Sequence, residues 1–81
     1  MMNERIPYLR EKTAALTGSP GVYIMKQQSG QIIYIGKAKN LKKRVTSYFC
    51  RTPNHTPKVA KMVSQVYDYD YIVTDSEYEA L

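Results

Sequence analysis

Apolar residues recur along the chain with two different periods, and the switches between them mark out its elements. Over residues 4–16, Ile6, Leu9 and Leu16 fall at helical spacing. Pro7 then sits in the first turn, where its missing N–H leaves no bond unmade. The run Thr17-Gly18-Ser19-Pro20-Gly21 ends that helix. Residues 22–26 and 32–36 alternate instead, around a polar stretch containing Gly30, which predicts a β-hairpin. Side chains alternate across a strand, so Tyr23 and Tyr34 can share a face if the register allows. Helical spacing returns over residues 41–50, with Asn40 as N-cap and a stripe of Leu41, Val45, Tyr48 and Phe49. Lys42 and Lys43 point away from that stripe and Arg44 borders it. After a loop at 51–56, Thr56-Pro57 opens a helix over 57–66 carrying Val59, Met62, Val63 and Val66. Residues 68–73 alternate as a third strand, and Thr74-Asp75-Ser76-Glu77 resembles the capping box of another helix. The expected fold is α/β of the α+β type, a small three-stranded, mostly antiparallel sheet flanked by helices. The last helix has only started at Leu81, so the chain reads as a single domain over 1–81, cut inside its final element.

Length and composition narrow the function without naming it. Eighty-one residues can enclose one small core. Hydrophobic residues make up 43% and charged residues 23%, the balance of a folded globular chain. No apolar run approaches the roughly 20 residues that cross a bilayer, and residues 1–10 lack the apolar centre of a secretory signal. The single cysteine, Cys50, cannot form an internal disulfide, which fits a reducing cytoplasm. The net charge of +5 hides a strong asymmetry. Residues 1–64 hold all twelve Lys and Arg and only two acids, Glu4 and Glu11, for a net +10. Residues 65–81 hold five acids and no base. A basic body of this kind suits a polyanion partner, with a solvated surface as the bland alternative.

Candidate chemistry is concentrated between Gly21 and Tyr48. His55 and Cys50 stand alone, whereas structural zinc takes four ligands. Neither GxxxxGK[ST] nor GxGxxG occurs. Taken singly, Tyr23 and Tyr34 are packing residues, Arg44 is a surface charge, and the basic cluster Lys37, Lys39, Lys42, Lys43 and Arg44 is a solvated face. Taken together around one hairpin-to-helix corner, they would make a phosphate pocket containing two phenols.

Gly21-Val22-Tyr23, Tyr34-Ile35-Gly36, Lys37, Arg44 and Tyr48 together resemble the GIY-YIG endonuclease superfamily. The resemblance covers residues 18–81 and is finest to the UvrC-type N-terminal nuclease domains of the bacterial excision-repair excinuclease. It is carried by 19–23, by Tyr34 through Val45, and by 73–81. The resemblance implies a DNA endonuclease that hydrolyses one phosphodiester beside a lesion, on its 3′ side, with Mg²⁺ or Mn²⁺. It implies catalytic roles for Tyr23, Tyr34, Lys37, Arg44 and Tyr48, with the phenols lining the site and one helping to deprotonate water. A phenol with its ordinary pKa near 10 is a poor base at pH 7, so cations such as Lys37 and Arg44 would have to lower it. Arg44 would stabilise charge on the phosphate. Lys39, Asn40, Lys42, Lys43 and His55 would contact DNA. The family's metal-binding glutamate aligns just past Leu81, so no metal ligand is expected in the chain and the 81 residues alone should be nearly inactive. Asp75, Glu77 and Glu79 read as acids favoured at a helix N-terminus. The implied partners are DNA and the UvrB–DNA complex, with no membrane and a monomeric fragment. The rivals are a stand-alone, homing or restriction nuclease of the same superfamily and a non-catalytic DNA-binding module.

Overall fold

β1 (Gly21–Lys26) is the strand around which everything else is arranged. In the computed structural model, which describes residues 3–50 and 55–74, it lies between β2 (Ile32–Ala38) and β3 (Asp68–Val73), antiparallel to both. Three helices complete the described chain: α1 (Ile6–Ala14), α2 (Leu41–Phe49) and α3 (Pro57–Gln65). None of them is long and apolar enough to cross a membrane.

Alternation along β1 decides which face the helices take. Gly21, Tyr23 and Met25 are buried, while Val22, Ile24 and Lys26 are half-buried. The buried set joins Leu9, Leu16, Leu41, Val45, Phe49, Val63, Val66 and Tyr69 in one core. Each fully buried aliphatic or aromatic side chain there contributes roughly 1.5–3 kcal/mol. Gly21 lets this packing close up: a Cβ on it would lie 2.3 Å from the Ile72 carbonyl oxygen and 2.7 Å from Leu41 Cδ1. On the opposite face Val22 and Ile24 pair with Ile72 and Ile35, which are 57% and 58% exposed.

The expected sheet and three helices are present, with shifted ends. α1 begins at Ile6 and not at residue 4, because Asn3 organises a turn before it. The Arg5 N–H donates to Asn3 Oδ1, and Asn3 Nδ2 donates to the Val63 and Val66 carbonyls. α2 stops at Phe49 and α3 at Gln65, each one residue earlier than expected. β2 runs two residues past Gly36, since Lys37 and Ala38 still pair with Val22 and Gly21. The proposed capping box and the helix it would open reach beyond Thr74 and lie outside the described residues, as do residues 51–54.

Candidate functional site

The register settles the relation between the two tyrosines. Tyr23 stands opposite Gly36 and Tyr34 opposite Met25, so the phenols are diagonal neighbours on the helix-covered face. Their ring centroids are 6.1 Å apart. Gly36 makes this possible: a Cβ there would lie 2.3 Å from both Cζ and Oη of Tyr23, so the ring occupies the space a side chain would need. Tyr48, on the last turn of α2, closes the group. Its hydroxyl lies 2.8 Å from the Tyr23 hydroxyl, with ring centroids 5.7 Å apart. Exposure separates the three phenols: Tyr23 is 2% exposed, Tyr48 is half-buried and Tyr34 is 43% exposed.

Burial raises the Tyr23 pKa, and the hydrogen bond shared with Tyr48 adds to the rise, outweighing the lowering field of Arg44. The cations were expected to make the phenols more acidic. At Tyr23 the reverse holds, because burial disfavours the phenolate more than Arg44 favours it.

α2 supplies the basic wall. Its first N–H groups are already satisfied: Leu41 donates to the Ser19 carbonyl at 3.0 Å, Lys42 to the Thr17 carbonyl at 3.0 Å, and Lys43 to Asn40 Oδ1 at 2.9 Å. Anion binding at this end therefore rests on side chains. Lys37, Ala38, Lys39, Asn40, Lys43, Arg44 and Ser47 line an open groove of about 500 Å³. Asn40 is thus both cap and groove wall. Two ion pairs, Lys12–Asp68 and Lys26–Asp70, lie elsewhere. Lys37, Lys43 and Arg44 have no carboxylate partner among the described residues.

Two of the residues expected to contact DNA lie outside this groove. Lys42 lies on the far flank of α2, in a separate cleft. His55 Nε2 donates to the Ser47 carbonyl at 3.0 Å, with its ring 6.1 Å from that of Tyr48, so it braces the end of α2. Two residues escaped the sequence reading. Ser47 shares the flank of Arg44 at helical spacing, a signal that was available. Tyr71 pairs directly with Tyr23 and is 42% exposed, which only the strand register shows.

The corner offers phenols and cations, a donor set that does not fit a divalent ion. No group of three or more His, Cys, Asp or Glu side chains able to hold a metal occurs among the described residues.

Comparison with known proteins converges on one family. Residues 19–81 match the UvrC-like GIY-YIG domain. The chain is 58% identical over 73 residues to the UvrABC system protein C of Caldanaerobacter subterraneus subsp. tengcongensis, covering 90% of the chain and 12% of that protein. It is 59% identical over 63 residues to the UvrABC system protein C of Methanococcus maripaludis, covering 78% of the chain and 12% of that protein. Among solved structures it is similar to the GIY-YIG N-terminal endonuclease domain of UvrC from Thermotoga maritima bound to its catalytic divalent cation, magnesium. The TM-score is 0.77 at 39% identity, over 98% of this chain and 81% of that one. The chain therefore spans 12% of the length of the curated relatives it matches.

Proposed function

The chain belongs to the UvrC-like GIY-YIG domain family, and from that premise we propose that it is the nuclease module of a nucleotide-excision-repair excinuclease, nicking one DNA strand on the 3′ side of a lesion. The observation that carries the reading is the corner itself. Hydrogen-bonded phenols lie within the field of Arg44, which also lines a groove whose cations Lys37, Lys43 and Arg44 have no carboxylate partner among the described residues. A backbone phosphate brings the missing negative charge.

In this reading the scissile phosphate sits where the groove meets Tyr23, Tyr34 and Tyr48. Arg44 presents a forked guanidinium to the oxygens that gain charge in the transition state, and Lys37 adds a second cation. Tyr23 keeps its proton, because burial and Tyr48 raise its pKa, so it orients through its hydrogen bond. Tyr34, far more exposed, is the phenol that an attacking water can reach. Lys39, Asn40 and Lys43 hold neighbouring backbone phosphates without reading sequence. The cofactor is Mg²⁺ or Mn²⁺, supplying Lewis-acid chemistry. No group of three or more His, Cys, Asp or Glu side chains among the described residues could hold it, and in this reading its glutamate lies past Leu81. The remaining partner is a UvrB–DNA complex, encountered in the cytoplasm.

The test is a nicking assay on lesion-bearing duplex with Mg²⁺ or Mn²⁺, comparing the 81-residue chain with one extended past Leu81. Cleavage by the extended chain alone is expected. Equal cleavage by both would refute the placement of the metal ligand. Salt-dependent binding without cleavage by either would favour the non-catalytic DNA-binding module.

A further inference from the structure

The groove is not the only basic recess along α2. A second cleft of about 320 Å³ opens between α1 and α2, lined by Arg10, Thr13, Ala14, Lys42, Thr46, Phe49 and Cys50. Its two cations are exposed, no carboxylate lines it, and neither Arg10 nor Lys42 belongs to the ion pairs Lys12–Asp68 and Lys26–Asp70.

The placement of the two recesses follows from helix geometry. With about 100° between successive residues, the groove set Asn40, Lys43, Arg44 and Ser47 and the cleft set Lys42, Thr46, Phe49 and Cys50 point about 130° apart. They sit on either side of the buried stripe of Leu41, Val45 and Phe49. α2 thus has a recess lined by exposed cations on each flank, with the body of a helix about 10–12 Å in diameter between them. The outward surface between them carries Lys43 and the short hydroxyl side chains Thr46 and Ser47, all exposed. The major groove of B-DNA is about 12 Å wide between its two backbones.

We propose that the α1–α2 cleft seats a backbone phosphate of the strand that is not cut, with Arg10 and Lys42 as its contacts, while the groove on the other flank holds the cut strand. The assignment rests on the nuclease reading above, and it gives α1 a role in binding through Arg10. It makes the domain a reader of duplex width, since the two seats can be filled together only when two backbones lie a helix diameter apart.

The experiment measures binding of the chain to a labelled duplex and to the matching single strand across a salt series. Each duplex phosphate contact contributes about 0.9 to the slope of log affinity against log salt. Replacing both cleft cations (R10A with K42A) should lower the duplex slope by about 1–2 and leave the single-strand slope unchanged. K43A should lower both, and the charge-preserving pair R10K with K42R should restore the duplex slope. An unchanged duplex slope, or an equal fall on both probes, with thermal unfolding intact, overturns the second seat while leaving the groove in place. A wild-type chain with no salt-dependent affinity for either probe overturns the second seat and the nuclease reading together.

Discussion

Tyr69 and Tyr23 occupy adjacent strands on the same face of the sheet, and each is almost wholly buried. Each hydroxyl lies 2.8 Å from one partner, Thr13 for Tyr69 and Tyr48 for Tyr23, and burial raises both pKa values. What differs is the treatment of nearby charge. Beside Tyr69 the cation is Lys12, 4.6 Å from the ring centroid, and it is neutralised by Asp68 at 2.8 Å. Phe49 stacks on Tyr69 with centroids 6.0 Å apart, and the ring is fully buried. Beside Tyr23 the cation is Arg44, with no carboxylate partner among the described residues, and the neighbouring Tyr34 is exposed. A tyrosine that only holds the fold has its electrostatics closed locally. In the nuclease reading, those around Tyr23 are left open toward a ligand.

The sharpest way to break this contrast is to truncate the closed tyrosine. Tyr69→Ala removes a fully buried aromatic and should destabilise the domain by about 3–5 kcal/mol, read from urea unfolding. A loss under about 1 kcal/mol would mean that Tyr69 is not the anchor its packing describes.

Arg44→Ala probes the open side. It should slow nicking by the extended, metal-loaded protein on the order of 10²-fold or more. Its melting temperature should stay at the wild-type value, because Arg44 is exposed. Near-normal cleavage would remove Arg44 from the site.

A matched pair comes next. Tyr48→Phe and Thr13→Val each take the partner from a buried phenol, so each should cost about 1–3 kcal/mol of stability. Only Tyr48→Phe should also slow nicking. Parallel losses of activity would erase the distinction between the two tyrosines.

The smallest effect belongs to the Lys12–Asp68 pair, which is partly exposed and worth at most about 1 kcal/mol. Burial alone would raise the Asp68 pKa, but the Lys12 ammonium and the Tyr69 N–H outweigh it and hold the pKa below its ordinary value. Burial alone would lower the Lys12 pKa, but the hydrogen bond it donates to Asp68 and the Asp68 charge, with smaller help from Tyr8 and Tyr69, together raise it. The Asp68 contribution is therefore present above the unfolded carboxyl value near 3.9 and fades as pH falls through the lower folded value. That of Lys12 is present below about 10.4 and fades as pH rises past it. The stability gap between wild type and Asp68→Asn should be flat between those limits and close in acid. A gap that widens in acid would contradict the pairing.

Periodicity carried most of the architecture. The third strand, residues 68–73, keeps its expected ends because an alternating run with one buried member, Tyr69, admits no other register. The end of β2 was less legible. A glycine usually weakens a strand, and only the Tyr23 ring lying over Gly36 explains why pairing continues. The start of α1 depends on Asn3 reaching the far end of α3, a contact between residues 60 and 63 positions apart that no local pattern encodes. The motif residues could be located in sequence, but not the rise in the Tyr23 pKa, which comes from burial and Tyr48. Lys42 and Lys43 looked equivalent as neighbours. Their separation into two recesses needs the docking of α1 on α2, which also brings Arg10 into view.

The fit of Gly36 under Tyr23 ties the two halves of the motif together as a matter of inheritance. Any side chain at 36 evicts the ring, and the clash involves its carbons as well as its hydroxyl, so phenylalanine at 23 offers no relief. The phenol at 23 keeps its present place beside Tyr48 only while 36 carries no side chain. A lineage that keeps the chemistry must keep both positions, whereas one that has abandoned it is free to lose both.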